Sequence, residues 1–165
     1  MTTQTLNIRS ASHDDVEACF ALYREVQEIH VAARPDLFKP PELDDSFRHL
    51  IGDAIDAEHK GILLAWHNTV AVGMAIYEFT RLDPTGVYLI DRPILWLESV
   101  VVSPDYRGKG CGKAMMDLLK SLAAENGVET LALEAWRFNQ AAQIWFERQG
   151  FATHSNTMMA VIGDD

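Results

Sequence analysis

Residues 96–113 read Trp-Leu-Glu-Ser-Val-Val-Val-Ser-Pro-Asp-Tyr-Arg-Gly-Lys-Gly-Cys-Gly-Lys. The β-branched run Val100, Val101, Val102 predicts a strand, and Ser103-Pro104-Asp105 predicts the turn that ends it. Three glycines in five residues follow, Gly108, Gly110 and Gly112, interleaved with Arg107, Lys109, Cys111 and Lys113. Beyond them Met115, Leu118, Leu119 and Leu122 recur at i, i+3, i+4 and i+7, one face of an α-helix. A strand that enters a basic, glycine-rich turn and then a helix aims free backbone N–H groups at an anion. The positive end of the helix dipole points the same way, and the usual anion is a phosphate.

Two familiar phosphate loops are excluded by position. A P-loop ending at Gly112-Lys113 needs Gly at 107 and Ser or Thr at 114, where Arg107 and Ala114 stand. A dinucleotide fingerprint needs a third Gly at 113 or 115, where Lys113 and Met115 stand. What remains is Arg-x-x-Gly-x-Gly over residues 107–112.

Working outward, residues 6–9 alternate as a short strand, and Ser12 caps a helix that carries Val16, Cys19, Phe20, Tyr23, Val26, Ile29 and His30. Prolines 35, 40 and 41 interrupt the chain before a second helix over about 44–58. Strands are predicted at 62–67 and 70–80, joined by Asn68-Thr69, with a short extra strand at 87–90 and the opening strand at 94–102. After the glycine loop the helix runs to about 126 with Gly127 as its cap, and a strand follows at 129–135. Asn139 then caps a helix carrying Ala142, Trp145 and Phe146, closed by Gly150, and 151–162 is predicted as a final strand or pair of strands. The order β, α, α, β, β, β, α, β, α, β gives an α/β fold of α+β type over residues 1–165. Its expected form is one domain with a mixed, largely antiparallel central sheet and helices on both faces.

At 165 residues and 48% hydrophobic content the chain has enough apolar material for a core. A net charge of −10 argues against a nucleic-acid or anionic-membrane partner. The charge is uneven: residues 1–60 hold twelve acids against six bases, whereas 107–120 hold four bases against Asp117 alone. An anionic cofactor beside the loop and a cationic acceptor near the first half suit that asymmetry, as a solvated acidic surface suits the first half. Two cysteines are too few for a disulfide framework or a metal site, and no metal is expected. Cys19, on an apolar helix face, is expected to be buried, and Cys111, in the loop, to be accessible. The N-terminus lacks the basic-then-apolar order of a signal peptide, so cytoplasmic residence is expected.

The loop in its setting resembles the acetyl-CoA pyrophosphate loop of the GNAT (GCN5-related) N-acetyltransferase superfamily. The second segment, Asn139-Gln140-Ala141-Ala142 with Trp145, Phe146 and Gly150-Phe151, is similar to that family's Asn-x-x-Ala, aromatic, Gly-Phe pattern. The two segments cover residues 94–162; residues 1–90 match in element order alone. The resemblance implies an acyltransferase that uses acetyl-CoA as cosubstrate, acting on a primary amine of a small molecule or protein by direct attack in a ternary complex. Cofactor contacts would come from Val100, Val101, Val102, Arg107, Gly108, Lys109, Gly110, Cys111, Gly112, Lys113, Asn139, Ala142 and Phe146. Glu98 stands where many members carry the catalytic base, and a lone acid in an apolar strand needs a reason in any case.

The chain departs from the family at one place. Phe146 occupies the position of the usual proton-donating Tyr; a water, Ser99 or a Tyr of the first half are the substitutes, and none is assigned. Tyr23 and His30 either edge an acceptor pocket or pack in the core. Homodimers are common in the family. Two other readings stay open: another acyl-CoA or a hydroxyl acceptor, and a CoA-binding regulatory module with little turnover.

Overall fold

The computed structural model describes residues 6–160 and 162. Contacts separate Met1–Glu134 from Ala135–Asp165, and each unit is described by itself. In the first, β1 (Leu6–Ser10), β2 (Lys60–His67), β3 (Val70–Arg81), β4 (Pro93–Val102) and β5 (Leu131–Leu133) form one sheet in that order. The first three pairings are antiparallel and β4–β5 is parallel. The helices are α1 (Val16–Ala33), α2 (Asp45–Asp56) and α3 (Cys111–Glu125).

Alternation along the strands sorts the core into two layers. Ile62, Leu64, Met74, Ile76 and Val101 pack against Val16, Cys19 and Leu22 of α1 and Phe47, Ile51 and Ala54 of α2. The opposite face carries α3, packed so closely that a Cβ on Gly73 would lie 2.9 Å from both Cys111 Sγ and Met115 Cε. Both layers are apolar and dry, and burial pushes the Cys19 thiol up to about 12.

Local chemistry explains the element ends. Asp44 Oδ1 accepts from the Phe47 N–H at 2.9 Å and caps α2. Asn68 takes a left-handed φ of 56° in the β2–β3 turn, a conformation asparagine tolerates. The Pro104–Tyr106 turn carries the chain from β4 toward α3. No described helix is long and apolar enough to cross a membrane.

Two predicted strands are not strands. Residues 87–90 curl because the buried Asp83 carboxylate accepts from the Thr85, Gly86, Tyr88 and Leu89 N–H groups, bending the backbone around one anion. These bonds and the Thr85 hydroxyl hold its carboxyl well below the usual range. Residues 151–160 and 162 also form no strand: four consecutive polar residues, His154 to Thr157, break the alternation that would bury one face, and Met158 is 91% exposed. Residue 161 lies outside the described residues.

Asp15 ties β1 to the start of α1. Its carboxylate accepts from Arg9 at 2.7 and 2.8 Å and from the Ser12 N–H at 2.8 Å, so the Arg9 guanidinium first, then Ser12, holds its carboxyl far below the usual range. A depressed folded value means stability that is present above the ordinary carboxylate pKa and lost as pH falls toward the folded one. Asp15→Asn should therefore lower unfolding free energy at pH 7 by about 1–2 kcal/mol, the low side because solvent reaches Arg9. The deficit should shrink as pH drops below about 4, which urea unfolding at several pH values would show.

Candidate active site

The β3–β4 ladder is interrupted once. Ile76 faces Ser99 and Tyr77 faces Leu97, which leaves Glu98 as the extra residue of a β-bulge. On its other edge β4 pairs with β5 through Leu95, Trp96 and Leu97 alone. From Glu98 to Val102 that edge has no strand partner among the described residues.

The polarity of the free edge follows from the ladder. The Ser103 N–H donates to the Val72 C=O at 2.9 Å, so alternation turns Val101 toward β3 and turns the backbone of Val100 and Val102 to the open side. The Val102 carbonyl is already taken there by Arg107 Nε at 2.9 Å. Its side chain thus folds back on the strand end and braces the loop.

The loop itself is open. Gly108 and Gly110 adopt φ of 73° and 86°, left-handed values that side chains resist, and nothing lies within 4 Å of a Cβ placed on either. The first helical bond of α3 runs from the Ala114 N–H to the Gly110 C=O, so the N–H groups of Cys111, Gly112 and Lys113 are the unsatisfied donors of the first turn. Exposed Lys109 and Lys113 flank them. Lys113 reaches Asp117 one turn on, at 2.5 Å, and Lys109 Nζ lies over the Tyr106 ring at 5.2 Å. Donors, dipole and cations gather at one open turn, which is the chemistry of an anion cradle.

Cys111 corrects an expectation. It is 2% exposed, its sulfur packed toward Gly73, and burial pushes its thiol up; only its backbone faces the loop's task. Tyr23 and His30 are half-buried and make ring contacts. Tyr23 lies 5.0 Å from the Phe47 ring, and His30 stacks on Phe38 at 4.8 Å with burial lowering its pKa.

In the second unit, Asn139 Oδ1 accepts from the Ala142 N–H at 3.3 Å and caps α4 (Gln140–Arg148). Phe146 packs edge-on against Trp145 and Phe151, at 5.0 and 5.6 Å. These aromatic contacts are half-buried.

Several polar partners were not visible in the sequence. Lys60 Nζ lies 3.7 Å from Glu98 Oε1 and 3.5 Å from Glu78 Oε2, and His59 Nε2 lies 3.6 Å from Glu78 Oε1. Ser103 Oγ donates to Glu25 Oε1 at 3.0 Å, across 78 residues of chain. Tyr106 Oη and His67 Nδ1 are 2.9 Å apart and line a cavity of about 350 Å³ with Leu6, Lys109 and Cys111. A strand period that starts β2 at Ile62 leaves Lys60 outside the sheet; 62–66 is one continuous apolar run behind Lys60 and Gly61, with no alternation to mark where its pairing begins.

Residues 22–151 match the sequence profile of the acetyltransferase (GNAT) family. The uncharacterized N-acetyltransferase YhfO of Bacillus subtilis (strain 168) is 27% identical over 146 residues, 88% of this chain and 89% of that protein. Among solved structures, a tetramutant of the BH1408 protein from Bacillus halodurans superposes with a TM-score of 0.87 at 21% identity, over 94% of this chain and 99% of the other. The aminoglycoside N-acetyltransferase AAC(6')-Iy in complex with CoA superposes with a TM-score of 0.75 at 18% identity, over 96% and 95% of the two chains. At such identities these two likenesses establish the fold.

The glycine geometry is testable without any ligand. Gly110→Ala should destabilise the protein by about 1–2 kcal/mol, because alanine there must hold a left-handed φ. Thermal melting and urea unfolding of the variant would show the loss; an unchanged midpoint would mean the loop relaxes to another conformation.

Proposed function

The chain belongs to the acetyltransferase (GNAT) family, an acyltransferase family, and from that premise we propose that it moves the acetyl group of acetyl-CoA to the primary amine of a small, cationic acceptor. The observation that carries this reading is the free edge of β4 running directly into the open glycine loop. The loop takes the pyrophosphate: the N–H groups of Gly108, Gly110, Cys111, Gly112 and Lys113 form the cradle, and the side chains of Lys109 and Lys113 supply charge. Val100 and Val102 offer backbone groups to the pantetheine arm, and one N–H of that edge stabilises the oxyanion that develops on the thioester carbonyl, an effect worth up to about 3 kcal/mol.

Glu98 is the base. An alkylammonium has a pKa of about 10.4 and attacks only after losing a proton, which the bulge carboxylate accepts directly or through a water. The neutral amine nitrogen then bonds to the acetyl carbon, the carbon–sulfur bond breaks with its electron pair on sulfur, and the nitrogen's second proton passes through water to the departing thiolate or to solvent. The acidic first half favours a cationic acceptor, and a small-molecule acceptor is supported by the aminoglycoside enzyme that shares the fold.

One observation favours a second reading. Phe146 has no proton to give a departing thiolate, as a CoA-binding module with little turnover would permit. Thiol release from acetyl-CoA, followed against a panel of small primary amines, separates the two. Transfer predicts release that at least one amine raises. Glu98→Gln should then cut that turnover by about 10²–10⁴-fold while leaving the Kd for CoA unchanged. Binding without amine-dependent release would favour the module, and failure to bind CoA would overturn both.

A further inference from the structure

Glu98 does not stand alone, and its surroundings extend the reading of it as the base, on which this inference rests. β2 reaches back to Lys60, directly across from Glu78 of β3. Glu98, displaced by the bulge, brings its carboxylate to the same ammonium, so two carboxylates from neighbouring strands share one cation at 3.5 and 3.7 Å. The three side chains are 26–31% exposed, neither dry nor freely solvated. His59 reaches Glu78 from the start of β2, and Tyr77 lies over Gly61 on the opposite face of the sheet.

Two facts make the shared cation consequential. A bulge residue lies outside the regular ladder, so the ladder does not fix the aim of its side chain. Two carboxylates that draw on one ammonium both lose an opposite charge when it is removed. A base needs both a fixed aim and an empty lone pair. We propose that Lys60 is a positioning residue for Glu98: shared with Glu78, its ammonium holds the bulge carboxylate in place and in the anionic form that accepts the acceptor's proton. Lys60 keeps its own protons throughout. The proton leaves the acceptor nitrogen for Glu98, and the electron pair of the broken carbon–sulfur bond leaves with the thiolate.

The test reads Glu98 directly in the full-length protein. Glutamate labelled with ¹³C at the carboxyl carbon gives a resonance for each side chain, and Glu98→Gln identifies the one at 98. In folded Lys60→Met this resonance should turn over at a higher pH than in the wild type. In Glu78→Gln it should turn over at a lower pH, because Lys60 is then undivided, and the double variant should return toward the wild type. With the amine that most raises thiol release, Lys60→Met should lose about ten- to a hundredfold in kcat with KM for acetyl-CoA unchanged, and Lys60→Arg should recover most of it. If Lys60→Met does not fold, Glu78→Gln and Lys60→Arg carry the same test. Resonances at 98 that ignore both substitutions overturn the proposal while leaving acetyl transfer intact. Coupled resonances without amine-dependent thiol release overturn acetyl transfer, and with it the catalytic part of this inference.

Discussion

The β3–β4 ladder is the constraint on which the rest of the molecule depends. It is the seam between the two helical layers, with α1 and α2 on one face and α3 on the other. Its single interruption displaces Glu98 from the regular pairing, and on the opposite edge β4 loses β5 after Leu97. One strand therefore carries a carboxylate displaced from the ladder, a backbone edge without a strand partner among the described residues and, at its end, the open glycine loop.

Electrostatics then divide the labour. The loop gathers cations and free N–H groups in a protein of net charge −10, so its field opposes the rest of the surface and suits an anionic cosubstrate. Elsewhere single carboxylates organise backbone: Asp15 joins β1 to α1, and Asp83 curls the loop between β3 and β4. The Lys60 site differs in kind. There two carboxylates divide one cation, an arrangement that adds little to stability at this exposure.

The contrast between prediction and structure is most instructive where apolar residues misled. Residues 87–90, Val-Tyr-Leu-Ile, have strand composition, yet Asp83 collects their N–H groups and exposes the side chains; Tyr88 is 89% exposed. A local hydrogen-bonding partner outweighed β propensity. Cys111 was placed in an accessible loop from its neighbours, but the close approach of α3 to Gly73 buries its sulfur. Neither outcome is written in periodicity: one depends on a side-chain acceptor within the loop itself, the other on the approach of α3 to β3.

What the sequence by itself determined was the strand–glycine loop–helix unit, the caps at Asn139 and Gly127, the mixed order of elements and the family they resemble. These are local: φ preferences, capping chemistry and 2- or 3.6-residue periods act within a few residues of themselves. The tertiary structure alone decided that Glu98 sits in a bulge, that β4 is free beyond Leu97, and that Lys60 and Glu78 meet it there. The physical reason is register. In a run such as Ile-Leu-Trp-Leu-Glu-Ser-Val-Val-Val the apolar pattern has no phase of its own. Only pairing with β3 on one edge and β5 on the other determines which residue is left unpaired.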